Sequence, residues 1–331
     1  MKIMVYEARP DERADLEKQA ALHGVELSVT DAVPTLENAS LAAGCIGVSI
    51  LGQGCIDAAL LDAYHALGIR YLSTRTIGYD HIDLDHARSI GLRVCSASYA
   101  PNGVADFTVM MILMCLRHYK QALWRGQVND FSLTGLQGRE MKDLTIGIIG
   151  TGRIGAQVAR NLSGFGCRIL AYDLRRNPAV EPQVTYVDFD TLLAQSDVIT
   201  LHMPLLDSNR HIINRESIAK MRDGVVIVNC SRGELADIEA LIEGIETGKI
   251  GALGMDTVEG DEGIIHADHR VDILPNRNWF YLHQFRNVIM TQHMAFYTDA
   301  AVSSMVDCGI DGICQMAAGE SCPTELTGPV Q

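Results

Sequence analysis

The sequence predicts an α/β protein whose second half is a doubly wound parallel sheet, and three observations carry the prediction. Short apolar runs alternate with helical patterns along most of the chain, the rhythm of parallel strands joined by crossover helices. Residues 144–155 read Leu-Thr-Ile-Gly-Ile-Ile-Gly-Thr-Gly-Arg-Ile-Gly, an apolar run that ends in Gly-x-Gly-x-x-Gly at Gly150, Gly152 and Gly155. Ile154, Val158, Leu162 and Phe165 follow at spacings of four, four and three, so the glycines stand where a strand hands over to a helix.

In that context Gly150 permits the tight turn, Gly152 lets backbone approach a pyrophosphate, and Gly155 lets helix pack on strand. The helix start adds free N–H groups and the positive end of its dipole, both suited to an anion. Asp173 closes the next apolar run, residues 168–172, and lies 18 residues past Gly155. A carboxylate there accepts both ribose hydroxyls of NAD and repels a 2′-phosphate. Arg175 and Arg176 follow closely and weaken that preference for NAD over NADP.

Residues 2–6 read as a strand and 11–23 as a helix that Gly24 is placed to stop. Residues 27–29, 45–50, 70–73 and 92–95 are further strand candidates, with a helix over 56–67 before Gly68. Residues 104–119 are nearly all apolar, which predicts one long helix buried on most sides, started just after Pro101. Residues 120–142 are more polar and deliver the chain to the fingerprint strand. From there about six strands are expected, over 144–149, 168–172, 198–203, 225–229, 252–255 and 288–291. Helices are expected over 153–164, 190–195, 215–221 and 239–248. Residues 259–285, rich in charge and histidine, read as a loop-dominated insertion. Residues 298–316 carry Val302, Met305, Val306 and Ile313 at helical spacing, and the polar tail 319–331 reads as frayed.

The totals narrow the function class. With 331 residues the chain has room for two domains, and 47% hydrophobic with 21% charged residues describes a globular protein with a core. A net charge of −14 argues against a nucleic-acid surface and against anionic membranes. The longest apolar stretch, around residues 109–116, is too short to span a bilayer, and the strand pattern beginning at Lys2 leaves no signal-peptide pattern. The nine cysteines are dispersed, odd in number and without Cys-x-x-Cys, which points to reduced thiols in the cytoplasm. No metal site is expected.

In open α/β sheets ligands bind beyond the carboxyl ends of the strands. Three of these strand ends carry reactive side chains. Cys230-Ser231-Arg232-Gly233 follows 225–229; Asp256, Glu259, Asp261 and Glu262 follow 252–255; Gln292-His293 follows 288–291. An arginine, a carboxylate and a histidine thus reach one edge of one sheet, the set needed for hydride transfer to a 2-keto acid. A histidinium is a natural proton donor near neutral pH, and a carboxylate beside it keeps it charged and oriented. An arginine fork binds the substrate carboxylate and polarises the carbonyl.

At these residues the chain resembles the D-isomer-specific 2-hydroxyacid dehydrogenase family over almost its whole length, and within it the D-lactate dehydrogenase branch, the vancomycin-resistance type included. The matching passages are Ser73-Thr-Arg-Thr-Ile-Gly-Tyr-Asp-His-Ile-Asp83, Tyr99-Ala-Pro-Asn102, the glycine fingerprint, Leu201-His-Met-Pro204, Asn229-Cys-Ser-Arg-Gly233, Met255-Asp256 and Gln292-His293. The resemblance implies a catalytic Arg232 and His293, and places the family's catalytic glutamate at Asp261, one methylene shorter. Either the backbone compensates, or Glu259 or Glu262 substitutes, or activity is altered. Gln292 also stands where the family has proline.

By the same resemblance the backbone N–H groups of Ile77 and Gly78, with Tyr99, hold the substrate carboxylate, and Phe296 faces its side chain. Arg153, Ile154, Asp173, Met203, Pro204, Asn209, Cys230, Ser231 and Asp256 line the NAD site, with Cys230 a small neighbour of the cofactor rather than a nucleophile. The implied architecture is two Rossmann-like lobes, an NAD domain of residues 100–297 inserted into a flavodoxin-like substrate domain of 1–99 plus 298–331. It implies hinges near Ala100 and Phe296, closure over the nicotinamide, and a homodimer through the NAD domain. The expected reaction is NAD-dependent reduction of a 2-keto acid to the (R)-2-hydroxy acid, pyruvate to D-lactate first. The alternatives are bulkier acids such as 2-ketoisocaproate or phenylpyruvate, and a non-catalytic NAD(H)-sensing protein.

Overall fold

The computed structural model describes residues 1–274 and 276–328. The chain forms two compact units, Met1–Ala100 together with the residues from Tyr297 onward, and Pro101–Phe296.

The first unit runs β1 (Lys2–Val5), α1 (Arg13–His23), β2 (Glu26–Val29), β3 (Gly47–Ile50), α2 (Ala58–Ala66), β4 (Tyr71–Thr74), α3 (Leu84–Ser89) and β5 (Arg93–Cys95). Its sheet is entirely parallel in the order β2-β1-β3-β4-β5, the flavodoxin-like order. Two-residue periodicity splits β1 between two cores: Ile3 and Val5 pack with Leu16 of α1, while Met4 and Tyr6 pack with Leu61 and Tyr64 of α2. Gly24 ends α1 in the left-handed conformation at φ 61°, its N–H donating to Ala20 O.

The second unit runs α4 (Asn102–Leu116), α5 (Tyr119–Gln127), β6 (Thr145–Ile149), α6 (Arg153–Ser163), β7 (Arg168–Tyr172), β8 (Thr185–Tyr186), α7 (Phe189–Gln195), β9 (Val198–Leu201), α8 (Arg215–Lys220), β10 (Val225–Asn229), α9 (Ile238–Glu246), β11 (Ile250–Met255), α10 (Arg277–Gln284) and β12 (Val288–Met290). Its seven parallel strands lie in the order β12-β11-β10-β9-β6-β7-β8. The order reverses between β6 and β9, the switch point at which doubly wound sheets bind ligands. The final helix, α11 (Asp299–Ala318), returns to the first unit, where Val306, Ile310 and Ile313 fill the core beside β1.

Four expectations need correction. The helix expected over 104–119 stops at Leu116, because His118 turns left-handed at φ 52°, and a second helix, α5, follows. Residues 259–285 contain α10, started by Asn276, whose side chain accepts from Trp279 N–H, and finished by Lys120, whose Nζ donates to the carbonyls of His283 and Phe285 at 2.9 and 3.0 Å. The sheet has a seventh strand, the two-residue β8. The described part of the tail is anchored rather than frayed. Glu325 takes a forked ion pair from Arg93 at 2.8 and 2.6 Å, and Leu326 N–H donates to Val94 O. Residues 329–331 lie outside the described residues. Among the described residues no helix is long and apolar enough to cross a membrane.

Candidate active site

At the fingerprint, steric demand explains two glycines outright. Gly150 has φ 94°, and a Cβ there sits 2.5 Å from His202 O; a Cβ on Gly155 sits 2.0 Å from Gly150 O. Gly152 is different, since nothing lies within 4 Å of its missing Cβ. It opens the N-terminal end of α6, an eleven-residue helix with no side-chain cap, beside Arg153 and Ile154. Open space, a helix start without a side-chain cap and a positive dipole end suit a pyrophosphate, so these residues fit a dinucleotide.

Asp173 follows β7 and grips the same turn. Its Oδ2 accepts from Thr151 N–H at 2.6 Å and from Thr151 Oγ1 at 3.1 Å, and its Oδ1 accepts from Arg175 N–H at 2.9 Å. Thr151 is also held by Tyr186, whose hydroxyl donates to Oγ1, and by Asn177, whose Nδ2 donates to its carbonyl. The guanidinium of Arg176 lies over the Tyr186 ring, 5.5 Å from its centre. Sequence reasoning missed Thr151, Asn177 and Tyr186. Only Thr151, inside the fingerprint, carried a signal.

After β9, Asn209 shapes the turn that carries Met203 and Pro204. Its Nδ2 donates to Pro204 O at 2.8 Å and contacts Met203 Sδ at 3.4 Å, while its Oδ1 accepts from Leu206 N–H. His202 just before it is buried, and burial pushes its pKa down to about 3, so it is a neutral core residue.

After β10, Asn229 braces the catalytic candidate: its Oδ1 accepts from Ser231 N–H and its Nδ2 donates to Arg232 O at 2.7 Å. Ser231 Oγ donates to Leu201 O. Burial pushes the Cys230 thiol far up, leaving it protonated and unsuited to nucleophilic attack. Gly233 permits the next approach, because a Cβ there sits 2.3 Å from the Val258 carbonyl carbon and 2.5 Å from Glu259 N. The Arg232 turn is thereby pressed against the loop that holds Asp261.

In that loop Asp261 Oδ2 accepts from Val258 N–H at 3.1 Å. Burial, followed by smaller repulsion from Glu262, Glu234 and Asp256, raises its carboxyl to about 6 against the Val258 bond, which lowers it. Glu259 is engaged elsewhere, with Oε1 2.6 Å from His211 Nε2 and Oε2 accepting from Ile238 N–H at the start of α9.

His293 follows β12 in the left-handed region at φ 52°. For a residue with a Cβ that conformation costs about 1–2 kcal/mol. Asp256, 1% exposed, holds it there. Its Oδ1 accepts from Thr291 Oγ1 at 2.6 Å and Met294 N–H at 2.9 Å, and its Oδ2 from Ala295 N–H at 2.8 Å. The carboxylate thus spans both sides of the histidine. Phe296 stands edge-on to the imidazole, ring centres 6.3 Å apart.

The remaining candidates belong to the first unit. The loop of Ile77 and Gly78 is set by hydroxyls: Thr76 Oγ1 donates to Gly78 O at 2.7 Å and lies 2.6 Å from Thr74 Oγ1. Tyr99 lies just beyond β5. Arg75, in the same passage, is fully buried against Glu12 at 3.0 Å and is structural.

Comparison with known proteins shows the family. A family model described as D-isomer specific 2-hydroxyacid dehydrogenase, NAD binding domain, matches residues 109–295. The chain is 42% identical over 311 residues to an aromatic 2-oxoacid reductase of Clostridium sporogenes, covering 93% of each. It is 36% identical over 328 residues to a D-lactate dehydrogenase of Escherichia coli, covering 98% of this chain and 100% of that one. The NAD-complexed D-isomer-specific 2-hydroxyacid dehydrogenase of Lactobacillus delbrueckii ssp. bulgaricus superposes with a TM-score of 0.84 at 30% identity, over 98% of this chain and 100% of that one. The cofactor is NAD, and this chain belongs to the D-isomer-specific 2-hydroxyacid dehydrogenases, an NAD-dependent oxidoreductase family.

Proposed function

We propose that this enzyme reduces a 2-keto acid to the (R)-2-hydroxy acid, pyruvate to D-lactate first, and that Arg232, Asp261 and His293 carry the chemistry. The observation behind this reading is the convergence of three loops at the carboxyl ends of β10, β11 and β12. When bound, NADH supplies the hydride. Arg232 binds the substrate carboxylate through its fork and draws electron density toward the carbonyl oxygen. His293 holds the proton that this oxygen takes up, and the Asp261 carboxylate favours the charged imidazole. A second reading, an aromatic 2-keto acid as preferred substrate, is favoured by the 42% identity to the Clostridium sporogenes reductase.

Steady-state kcat/KM for pyruvate, 2-ketoisocaproate and phenylpyruvate, each with NADH and NADPH, separates these readings. Pyruvate is expected to lead, and an order rising with side-chain size selects the aromatic reading. Absence of turnover with all three, despite NADH binding, overturns both. In the same assay Asp173→Ala is expected to lower the NADH-over-NADPH preference by about 10-fold or more, the worth of a charge-assisted bond to ribose. An unchanged ratio removes Asp173 from cofactor selection.

The homodimer belongs to the same proposal. In the second unit Phe131 and Leu133 are 80% and 83% exposed shortly after α5, which itself exposes Leu123 and Trp124. Exposed large apolar side chains within one short segment suit a protein contact. Sedimentation is expected to give a dimer, and Phe131→Glu with Leu133→Glu a monomer; a monomeric wild type discards it. The dispersed, odd-numbered cysteines without Cys-x-x-Cys support a reducing cytoplasm.

A further inference from the structure

We propose that His266 is a positioning residue for the reaction, tying the turn that carries Asp261 to the loop that carries His293. The inference rests on the reading of His293 as proton donor. It also answers how a shortened carboxylate is kept in register with that donor.

The sequence placed His266 in an irregular charged insertion and gave it no role. The structure makes it the end of an ordered turn. Asp261 O accepts from Ile264 N–H at 3.0 Å and from Ile265 N–H at 3.3 Å, and Ile264 is buried. That turn delivers His266, itself left-handed at φ 62°, to the His293 loop. There His266 Nε2 lies 3.3 Å from His293 O. A carbonyl only accepts, so Nε2 carries the hydrogen and donates it.

This bond reaches a part of the loop that Asp256 does not bind. Asp256 takes Thr291 Oγ1 and the Met294 and Ala295 N–H groups, so its grip lies on either side of the His293 carbonyl. The side chain has neighbours as well. The His266 and His293 rings stand 6.1 Å apart between centres at 38°, and Phe296 stands on His293 at 82°. A left-handed residue persists only where its surroundings over-determine it. His266 therefore adds a second hold on the His293 loop, at its backbone and beside its ring, and links it to Asp261 through a single turn.

The test compares His266→Ala, His266→Gln and His266→Glu with His293→Ala. Glutamine places an amide nitrogen at the same bond count as the imidazole Nε2 and keeps the donor, whereas glutamate has the length and no hydrogen to give at neutral pH. His266→Ala and His266→Glu are expected to lower kcat by about 10- to 100-fold, the scale of a small misplacement of a reacting group. NADH affinity, read by fluorescence, is expected to stay within about twofold of wild type. His266→Gln is expected to recover most of the loss. In ring-labelled protein without cofactor, the His293 imidazole resonances should move in the alanine variant and return in the glutamine one.

If His266→Ala and His266→Glu retain full turnover while His293→Ala is inactive, this inference falls and the proton donor stands. If glutamine is no better than glutamate, the hydrogen bond is not the cause and the inference falls likewise. That comparison decides the matter even where the alanine variant does not fold. If His293→Ala itself turns over normally, the underlying site reading fails.

Discussion

Replacing His293 by alanine is expected to cut kcat for keto-acid reduction by about 10²–10⁴, the worth of a general acid, with NADH affinity retained. The proton taken up by the carbonyl oxygen then has to come from water, and the charge developing there loses its partner. The fold supplies a control for this experiment. His293 sits at φ 52°, held by the Asp256 bonds to Met294 and Ala295. Alanine occupies that region less readily than asparagine does. His293→Asn keeps the backbone preference and lacks an ionisable ring, so it should fold like wild type and be equally slow. Activity near wild type in either variant, assayed by NADH oxidation, removes His293 from the mechanism.

Much of this arrangement was legible because steric necessity leaves a mark in composition. Gly150 and Gly155 face backbone oxygens at distances no Cβ tolerates, and so had to appear as glycine in the sequence. The helix after them shows its buried face as Ala156, Val158, Ala159 and Leu162. Asp173, Arg232 and His293 stand just past strand ends, where apolar runs stop, and the first polar residues beyond each run point to them. Partnerships between distant residues left no such mark. The end of α10 depends on Lys120, 163 residues before His283, and the tail on Arg93, 232 residues before Glu325. A run such as Trp279-Phe280-Tyr281 has little helical preference of its own, so the caps decide it. The binding of Asp256 to the His293 loop leaves no mark in the sequence either, where the family resemblance assigns the residue to the cofactor.

The Asp261→Asn variant is expected to make the protein more stable and a poorer catalyst at once. Burial raises the Asp261 carboxyl to about 6, well above the ordinary carboxylate value. A folded-state pKa above the unfolded one means that the native state binds more protons between about pH 4 and 6. Stability therefore falls as pH rises through that window, and the cost of the buried charge is complete above it. Asparagine retains an oxygen to accept from Val258 N–H and carries no charge, so at pH 7 the variant should gain about 1–3 kcal/mol. The gain should vanish below about pH 4, where the wild-type carboxyl is neutral in both states. Catalysis moves the other way, because the imidazolium of His293 loses the anion that favours it. Turnover of the keto acid at pH 7 should drop on the order of 10²-fold, and the alkaline limb of its pH profile should shift to lower pH. The wild-type acid limb, where Asp261 takes up its proton near pH 6, should disappear in the variant. Thermal melts and pH–rate profiles on the same preparations read both halves. If Glu262→Gln reproduces the kinetic loss and Asp261→Asn does not, the partner of the histidine is Glu262, and the one-methylene deficit at position 261 has been met by a neighbour.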